Sequence, residues 1–150
     1  MNHEEQTVRI KKLKTEEEWR EAFSVMKQLR THLEETAFLQ LVKEANEKDH
    51  YILAALYVHD QIAAVIGFMP MITLYNGRFI WVCDLVTDEQ HRSKGYGEKL
   101  LSYVERWASD HGYGIVSLSS GLQRTEAHRF YENKMDYKKV SYVFLKNLLT

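Results

Sequence analysis

The apolar residues of this chain alternate between strand-like and helix-like spacing along its length. Val8–Leu13 alternates and predicts a first strand. Thr15 and Glu18 then have the spacing of a capping box, and apolar residues three to four positions apart follow as far as Arg30, which predicts a helix. Residues 34–47 continue with helical spacing. The chain therefore opens with a strand and two helices.

The central part of the chain has the pattern of an antiparallel meander. Residues 51–58, 62–75 and 78–86 are apolar and rich in strand formers. The polar residues 59–61 separate the first two of these runs, and Asn76-Gly77, the strongest short hairpin signal, separates the second and third. Three consecutive antiparallel strands are expected.

The last third of the chain alternates between helix and strand. A helix is predicted after Gly97, a short buried strand over residues 115–119 and a helix over 125–134. Residues 137–140 and 142–145 indicate two closing strands. A strand, helix, strand, helix order implies crossover helices and a partly parallel sheet, so the predicted fold class is α/β (α+β).

Length and composition restrict the classes of function. The 150 residues are the usual length of one domain, so a single domain over 1–150 is expected. The net charge of −1 lacks the basic surplus of a nucleic-acid binder. Residues 62–70 form the longest apolar stretch, too short for the roughly 20 residues of a membrane span. One cysteine and no signal-peptide pattern lead to the expectation of a cytoplasmic protein.

Residues 83–101 carry the clearest chemical signal. A predicted strand ends near Val86, and Gly95 and Gly97 open an amphipathic helix. The start of a helix favours an anion, and Arg92 and Lys94 add positive charge there. Neither the P-loop pattern nor the dinucleotide fingerprint is present. From the glycines alone, an anion site and a plain helix-starting turn are equally good interpretations.

The whole stretch resembles one family. The segment R-S-K-G-Y-G, with Arg92, Gly95 and Gly97, is similar to the Q/R-x-x-G-x-G/A pyrophosphate loop of the GNAT superfamily of N-acetyltransferases. The segment D-L-V-T before it resembles that family's fourth strand, and A-H-R-F-Y-E resembles the helix after its fifth. One departure is Asp136, which stands where the family usually has glycine. The resemblance implies a GNAT fold: a central mixed, twisted sheet of about six to seven strands with about four flanking helices, splayed between strands 4 and 5.

The resemblance also implies which residues bind acetyl-CoA as the co-substrate. Backbone groups at the end of the fourth strand would hold the pantetheine arm, the turn that follows would hold the pyrophosphate, and an aromatic pair would flank the thioester. In order, these are Leu85, Val86 and Thr87; Arg92, Ser93, Lys94, Gly95, Tyr96 and Gly97; and Phe130 and Tyr131. Tyr131 matches the family's usual general acid.

An acetyl transfer to an amine involves two proton transfers. Freeing the lone pair of an alkyl amine with a pKa of about 10.4 costs about 4.6 kcal/mol at neutral pH. Asp84 and Glu89 are the candidate bases, although Asp84 could instead point into the hydrophobic layer or pair with a neighbour, and Glu89 could be a solvated turn residue. Proton transfer from Tyr131 to the leaving thiolate is uphill by roughly 2 kcal/mol. The backbone N–H of Val86 is a candidate oxyanion donor.

The acceptor is expected to be the primary amine of a small molecule. In the family that the chain resembles, the acceptor usually enters beside the first helix pair and the later strands, and the resemblance therefore implies contacts from Leu29, Arg30, His32, Leu33 and Arg124. The seven histidines follow no metal-ligand spacing, so no metal is expected. A silent acyl-CoA-binding module and a protein N-acetyltransferase are the alternatives. Neither a nucleic-acid nor a membrane partner is expected, and the last strand could pair with a second copy in a homodimer.

Overall fold

A computed structural model describes residues 7–149. The chain divides into two compact units, Met1–Ser117 and Leu118–Thr150. The first unit contains strand β1 (Val8–Leu13), helices α1 (Glu16–Leu29) and α2 (Glu35–Asp49), strands β2 (Ile52–Val58), β3 (Gln61–Thr73) and β4 (Gly77–Thr87), and helix α3 (Tyr96–Asp110). Strand β5 (Val116–Leu118) lies at the boundary between the two units. Each of these elements was predicted, with bounds shifted by at most a few residues.

The start of α1 is fixed by local hydrogen bonds. The Glu18 backbone N–H donates to Thr15 Oγ1 at 3.2 Å, and the Thr15 N–H donates to Glu18 Oε1 at 3.1 Å, which confirms the predicted capping box. Lys11 Nζ lies 2.6 Å from Glu18 Oε2. The Lys11 ammonium and the Lys14 and Thr15 amides lower the pKa of Glu18 to about 2. The connection from β1 to α1 is thus stabilised by an ion pair as well as by hydrogen bonds.

The strands form one five-stranded sheet in the order β1-β2-β3-β4-β5. The pairs β1–β2, β2–β3 and β3–β4 are antiparallel, so the predicted meander is confirmed. At the other edge of β4, the Ile80 N–H donates to the Ile115 carbonyl at 3.0 Å. Because β5 has three residues and β4 has eleven, β5 can pair with only part of β4.

Both faces of the sheet are covered by helices. Side chains of α1 and α2 pack with one set of alternating strand residues in a single cluster that includes Trp19, Met26, Phe38, Leu53 and Val65. Neighbouring strand residues point to the opposite face. There Phe68 contacts Trp107 of α3, with ring centroids 5.2 Å apart. This three-layer arrangement explains why β2 is apolar at every position.

Strand β4 has a bulge in its second half. Gly67 of β3 pairs with Asp84, but the next residue, Phe68, pairs with Val82, so Cys83 is the extra residue. Cys83 packs against the cluster under α1, and Asp84 contacts the residue that ends that helix, so both lie on the α1 side of the sheet. The bulge changes the direction of β4 just before its last residues.

The second unit contains a short helix, α4 (Thr125–Arg129), which continues as a π-helical turn over Phe130–Lys134. Together they confirm the helix predicted over 125–134. Asp136 has the left-handed φ of +61° that a glycine normally supplies at this position in the family. The Tyr137 N–H donates to the Tyr131 carbonyl at 2.8 Å across this turn.

The two closing strands predicted over 137–140 and 142–145 do not form. Residues 138–149 are exposed and have no regular secondary structure, so the sheet has five strands instead of six to seven. An alternating apolar run becomes a strand only when its backbone groups pair with a neighbour, and local sequence does not specify that neighbour. Within residues 7–149, the helices are all too short or too polar to span a membrane.

Candidate active site

The turn that follows β4 and precedes α3, called here the glycine turn (residues 92–97), has an unusual backbone. Ser93 and Gly95 both have left-handed φ angles, +66° and +81°. A Cβ on Gly95 would meet nothing within 4 Å, so glycine is favoured here by its φ and not by crowding. Gly95 is the N-cap of α3, and no side chain accepts a cap hydrogen bond there. Such a helix start suits an anionic ligand.

The glycine turn contains two cationic side chains, and Glu98 is the acidic residue of the groove beside it. Arg92 and Lys94 are exposed, and neither forms an ion pair with any residue that the structure describes. Lys94 also lines an open groove of about 680 Å³ between β1 and α3, together with Lys99 and Arg106. These side chains can neutralise a polyanion without first giving up another partner. Tyr96 is different, because its side chain is buried, 6.3 Å from the ring of His91.

Gln28 of α1 holds the residues just before the glycine turn. Its Nε2 donates to Asp88 Oδ1 at 2.6 Å, and its Oε1 accepts from the Glu89 N–H at 2.9 Å. Asp88 Oδ2 lies 2.9 Å from His91 Nδ1, and the Asp88 N–H donates to the Ala63 carbonyl of β3 at 2.8 Å. The hydrogen bonds from Gln28 and His91 lower the pKa of Asp88. The glycine turn therefore begins from a fixed anchor.

Asp84 is held by two side chains at the β4 bulge. Arg30 Nε and Nη2 both lie 2.9 Å from Asp84 Oδ1, and the Tyr51 hydroxyl donates to Asp84 Oδ2 at 2.7 Å. Arg30 Nη2 also donates to the Cys83 carbonyl at 2.9 Å. The possibility that Asp84 pairs with a neighbour is thus confirmed. A carboxylate has about four lone-pair positions, so Asp84 retains capacity to accept another hydrogen bond.

Burial changes the acidity of the groups around Asp84. Desolvation, reinforced by the negative charge of Asp84, raises the pKa of Tyr51 well above its ordinary value, so this phenol stays protonated and acts as a donor. Desolvation and the same carboxylate raise the pKa of Cys83 to about 12. Cys83 is therefore a neutral thiol near physiological pH and is unsuited to nucleophilic attack.

Tyr131 is the buried side chain of the π-helical turn, 8% exposed. Its ring contacts Phe130 edge-on, with centroids 5.3 Å apart. Burial raises the pKa of the Tyr131 phenol, and the Arg124 side chain opposes that rise through its charge and a hydrogen bond. A π-helical turn is frequent at functional sites. Phe130, Tyr131 and Arg124 are thus brought together within the second unit.

The comparisons with known proteins agree with this geometry. The sequence model of the Acetyltransferase (GNAT) family matches residues 13–137. The chain belongs to the GNAT family. A Bacillus subtilis (strain 168) protein, the uncharacterized N-acetyltransferase YhdJ, is 45% identical over 139 residues, covering 93% of this chain and 98% of that protein. Acyltransferase activity follows from this membership.

Solved GNAT structures share the fold at low sequence identity. The aminoglycoside N-acetyltransferase AAC(6')-Iy, in complex with CoA, is 13% identical with a TM-score of 0.86, and all of both chains is covered. A GNAT family acetyltransferase from Staphylococcus aureus is 19% identical with a TM-score of 0.75, covering 94% of this chain and 98% of the other. The expected GNAT fold class is therefore confirmed.

The residues expected to contact the acceptor lie in several environments. Leu29 and Leu33 pack against the core beside α1, and His32 is exposed. Arg30 is bound to Asp84, and Arg124 lies beside Tyr131. Both arginines therefore already have partners within their own units. Glu89, the second candidate base, is an exposed turn residue.

Three residues that contact the segment before the glycine turn or the β4 bulge were not predicted from the sequence: Gln28, Tyr51 and Gly67. Gln28 had no signal, because it is a polar residue on a helix and its partners are distant along the chain. Gly67 did have one, since an isolated glycine inside an apolar strand marks a bulge or a close approach. In the described part of the chain, no three His, Cys, Asp or Glu side chains are grouped so as to hold a metal ion.

Proposed function

We propose that this GNAT protein is an acetyl-CoA-dependent N-acetyltransferase that moves the acetyl group to a primary amine of a small molecule. The observation that carries the proposal is the glycine turn. It joins left-handed backbone at Ser93 and Gly95 to a helix start without a side-chain cap, and exposed Arg92 and Lys94 lie beside it. This combination suits a diphosphate.

In this proposal the co-substrate lies along the end of β4 and the start of α3. The backbone of Leu85, Val86 and Thr87 receives the pantetheine arm, and the amides and cations of residues 92–97 receive the pyrophosphate. Charge-assisted hydrogen bonds contribute roughly 1.5–3 kcal/mol each, so several of them offset the hydration of a diphosphate. The Val86 N–H is the proposed donor to the oxyanion.

Asp84 is the proposed base. The attacking amine forms a C–N bond to the thioester carbonyl carbon, and the amine proton passes to Asp84, directly or through a water. The C–S bond then breaks. Arg30 partly neutralises the charge of Asp84, but Oδ2 accepts a hydrogen bond from Tyr51 and has a lone pair for a second. The position of Asp84 on the bulged part of β4 supports this role.

Tyr131 is the proposed acid for the leaving thiolate. The phenol of an ordinary tyrosine is already protonated at neutral pH, and burial raises the pKa of Tyr131 further, so the acid form is present but gives up its proton less readily. Arg124 is beside the oxygen that becomes negative when the proton leaves, so it limits the energy of that transfer. Phe130 supplies the apolar side of this environment.

The proposed acceptor class draws on the fold neighbours. One of them, an aminoglycoside acetyltransferase from an uncultured soil metagenomic sample, has been solved in complex with sisomicin; it is 12% identical, with a TM-score of 0.78. The net charge of −1 gives no reason to expect a strongly cationic polymer as acceptor. A small amine, which includes the aminoglycosides, is therefore the proposed class.

An acceptor screen tests this function. Thiol release from acetyl-CoA is followed with a panel of small amines, amino sugars and aminoglycosides, and in parallel with peptides and proteins. We expect turnover with at least one small amine. Tight acetyl-CoA binding without turnover on any acceptor would favour the silent binding module, and acetylation of protein alone would favour the protein acetyltransferase.

A further inference from the structure

Five residues from separate parts of the chain meet at the β4 bulge and are called here the bulge cluster: Arg30, Tyr51, Gly67, Cys83 and Asp84. Arg30 follows α1, Tyr51 precedes β2, Gly67 lies in β3, and the last two lie in β4. Arg30 and Tyr51 have so far been described only as hydrogen-bond partners of Asp84 and, for Arg30, of the Cys83 carbonyl. Their contacts are directed at the one irregular point of β4.

Arg30 compensates for the pairing that the bulge removes. Cys83 is the extra residue and has no partner on β3. Its carbonyl accepts from Arg30 Nη2 at 2.9 Å, and the same guanidinium is bound to the carboxylate of the next residue, Asp84. A planar guanidinium donates to both groups from one rigid fork, which a lysine ammonium cannot reproduce. Arg30 thus fixes two consecutive residues of the bulge.

Tyr51 holds the other oxygen of Asp84, and Gly67 makes room for it. The Tyr51 hydroxyl lies 2.7 Å from Asp84 Oδ2. A Cβ on Gly67 would lie 1.8 Å from that hydroxyl oxygen and 2.5 Å from the ring carbon that carries it. Gly67 is also the residue that pairs with Asp84 across the sheet. The Tyr51 side chain therefore packs against β3 at position 67, where only glycine leaves enough space for it.

We propose that Arg30 and Tyr51 are positioning residues that hold the β4 bulge, and through it the backbone of Leu85 and Val86, in the geometry that receives the pantetheine arm. The sequence suggested that Arg30 contacts the acceptor. In this proposal Arg30 holds the bulge instead. This inference rests on the proposed binding of acetyl-CoA along β4.

The test is direct titration of CoA without any acceptor, by calorimetry and well below the Tm of every variant. The variants are Arg30→Lys, Arg30→Gln and Tyr51→Phe. Arg20→Gln, on the exposed side of α1, and Tyr57→Phe, in β2, are the matched controls. The Kd of CoA is expected to rise about tenfold in each of the three variants and to stay unchanged in the two controls.

The readouts separate the competing roles. A purely structural role would lower Tm without changing the Kd of CoA, and an acceptor-binding role for Arg30 would raise the acceptor KM alone; either result overturns the inference. If Arg30→Gln does not fold, the Kd of CoA for Tyr51→Phe decides between these roles, because that substitution removes only one hydroxyl. Failure of the unmodified protein to bind CoA would contradict the proposed function itself, whereas normal binding with unchanged variants would overturn only the positioning role.

Discussion

Two features of its surroundings shift the pKa of the Tyr131 phenol in opposite directions. Burial raises the pKa of its phenol, and Arg124 opposes the change. The protonated form is the one that can act as an acid, and it persists below that raised pKa. Activity should therefore show no loss from Tyr131 titration below about pH 10, where an ordinary tyrosine ionises. The Tyr131 phenol is thus protonated throughout the physiological pH range.

Tyr131→Phe tests this role. The substitution keeps the ring that packs against Phe130 and removes the proton, so kcat is expected to fall about 100-fold while the Kd of CoA is unchanged. Steady-state kinetics and calorimetry measure the two quantities. Tyr142→Phe, at an exposed tyrosine of the same unit, is the control and should match the unmodified protein. Undiminished kcat in Tyr131→Phe would remove the acid role.

At the level of single residues, the sequence predicted which residues form a motif better than which side chains those residues contact. Arg92, Gly95 and Gly97 were predicted as a group because one short motif contains them. The partner of Arg30 was not predicted, because Asp84 reaches it only through the pairing of β3 with β4 and the end of α1. The resemblance made Arg30 an acceptor candidate, because in the family the acceptor usually enters beside the first helix pair, whereas its contacts give it an internal role.

Among the elements, those with strong local signals were predicted, whereas two features that depend on strand pairing, the β4 bulge and the absence of the two closing strands, were not. The capping box at Thr15 and Glu18 sets the start of α1 through residues three apart. The bulge at Cys83 depends on the register between β3 and β4, and the isolated Gly67 signals an irregularity there without specifying which residue of β4 is extra. Residues 138–145 have the alternation of strands but lie in no strand of the sheet, so they remain irregular.

The start of α1 offers a stability test. Thr15→Ala should lower the free energy of unfolding by about 1 kcal/mol, because the cap hydrogen bond is lost. Glu18, whose pKa is lowered from 4.5 to about 2, stabilises the fold fully above pH 4.5, and this contribution is lost as the pH falls towards 2. Glu18→Gln should therefore destabilise the protein at neutral pH and progressively less as acid is added.

Urea unfolding at neutral pH and at about pH 3 measures both effects. Thr36→Ala, on the exposed surface of α2, is the control and should change stability little. An equal effect of Glu18→Gln at both pH values would show that the carboxylate charge does not stabilise this helix start.

For the molecule as a whole, the sheet carries the end of β4 that we propose receives the pantetheine arm. Helices cover both faces of the sheet, and α1 contributes Gln28 to the turn before α3 and is followed directly by Arg30 at the bulge. The first helix is thus both a core element and the element that fixes the site. The overall GNAT architecture was predictable from the order of elements and three motifs. The contacts of Gln28 and Arg30 with the turn before α3 and with the bulge became visible only in the structure.

CoA binding at the glycine turn is the central claim, and calorimetric titration with CoA measures it most directly. The unmodified protein should bind, and a saturating 100-fold excess over Kd should add about 2.7 kcal/mol of stability. Gly97→Glu places a carboxylate where the diphosphate should lie and should abolish binding. Gly114→Glu, at an exposed glycine with open space around it, should leave binding intact. Equal CoA affinity in Gly97→Glu and the unmodified protein would contradict the account.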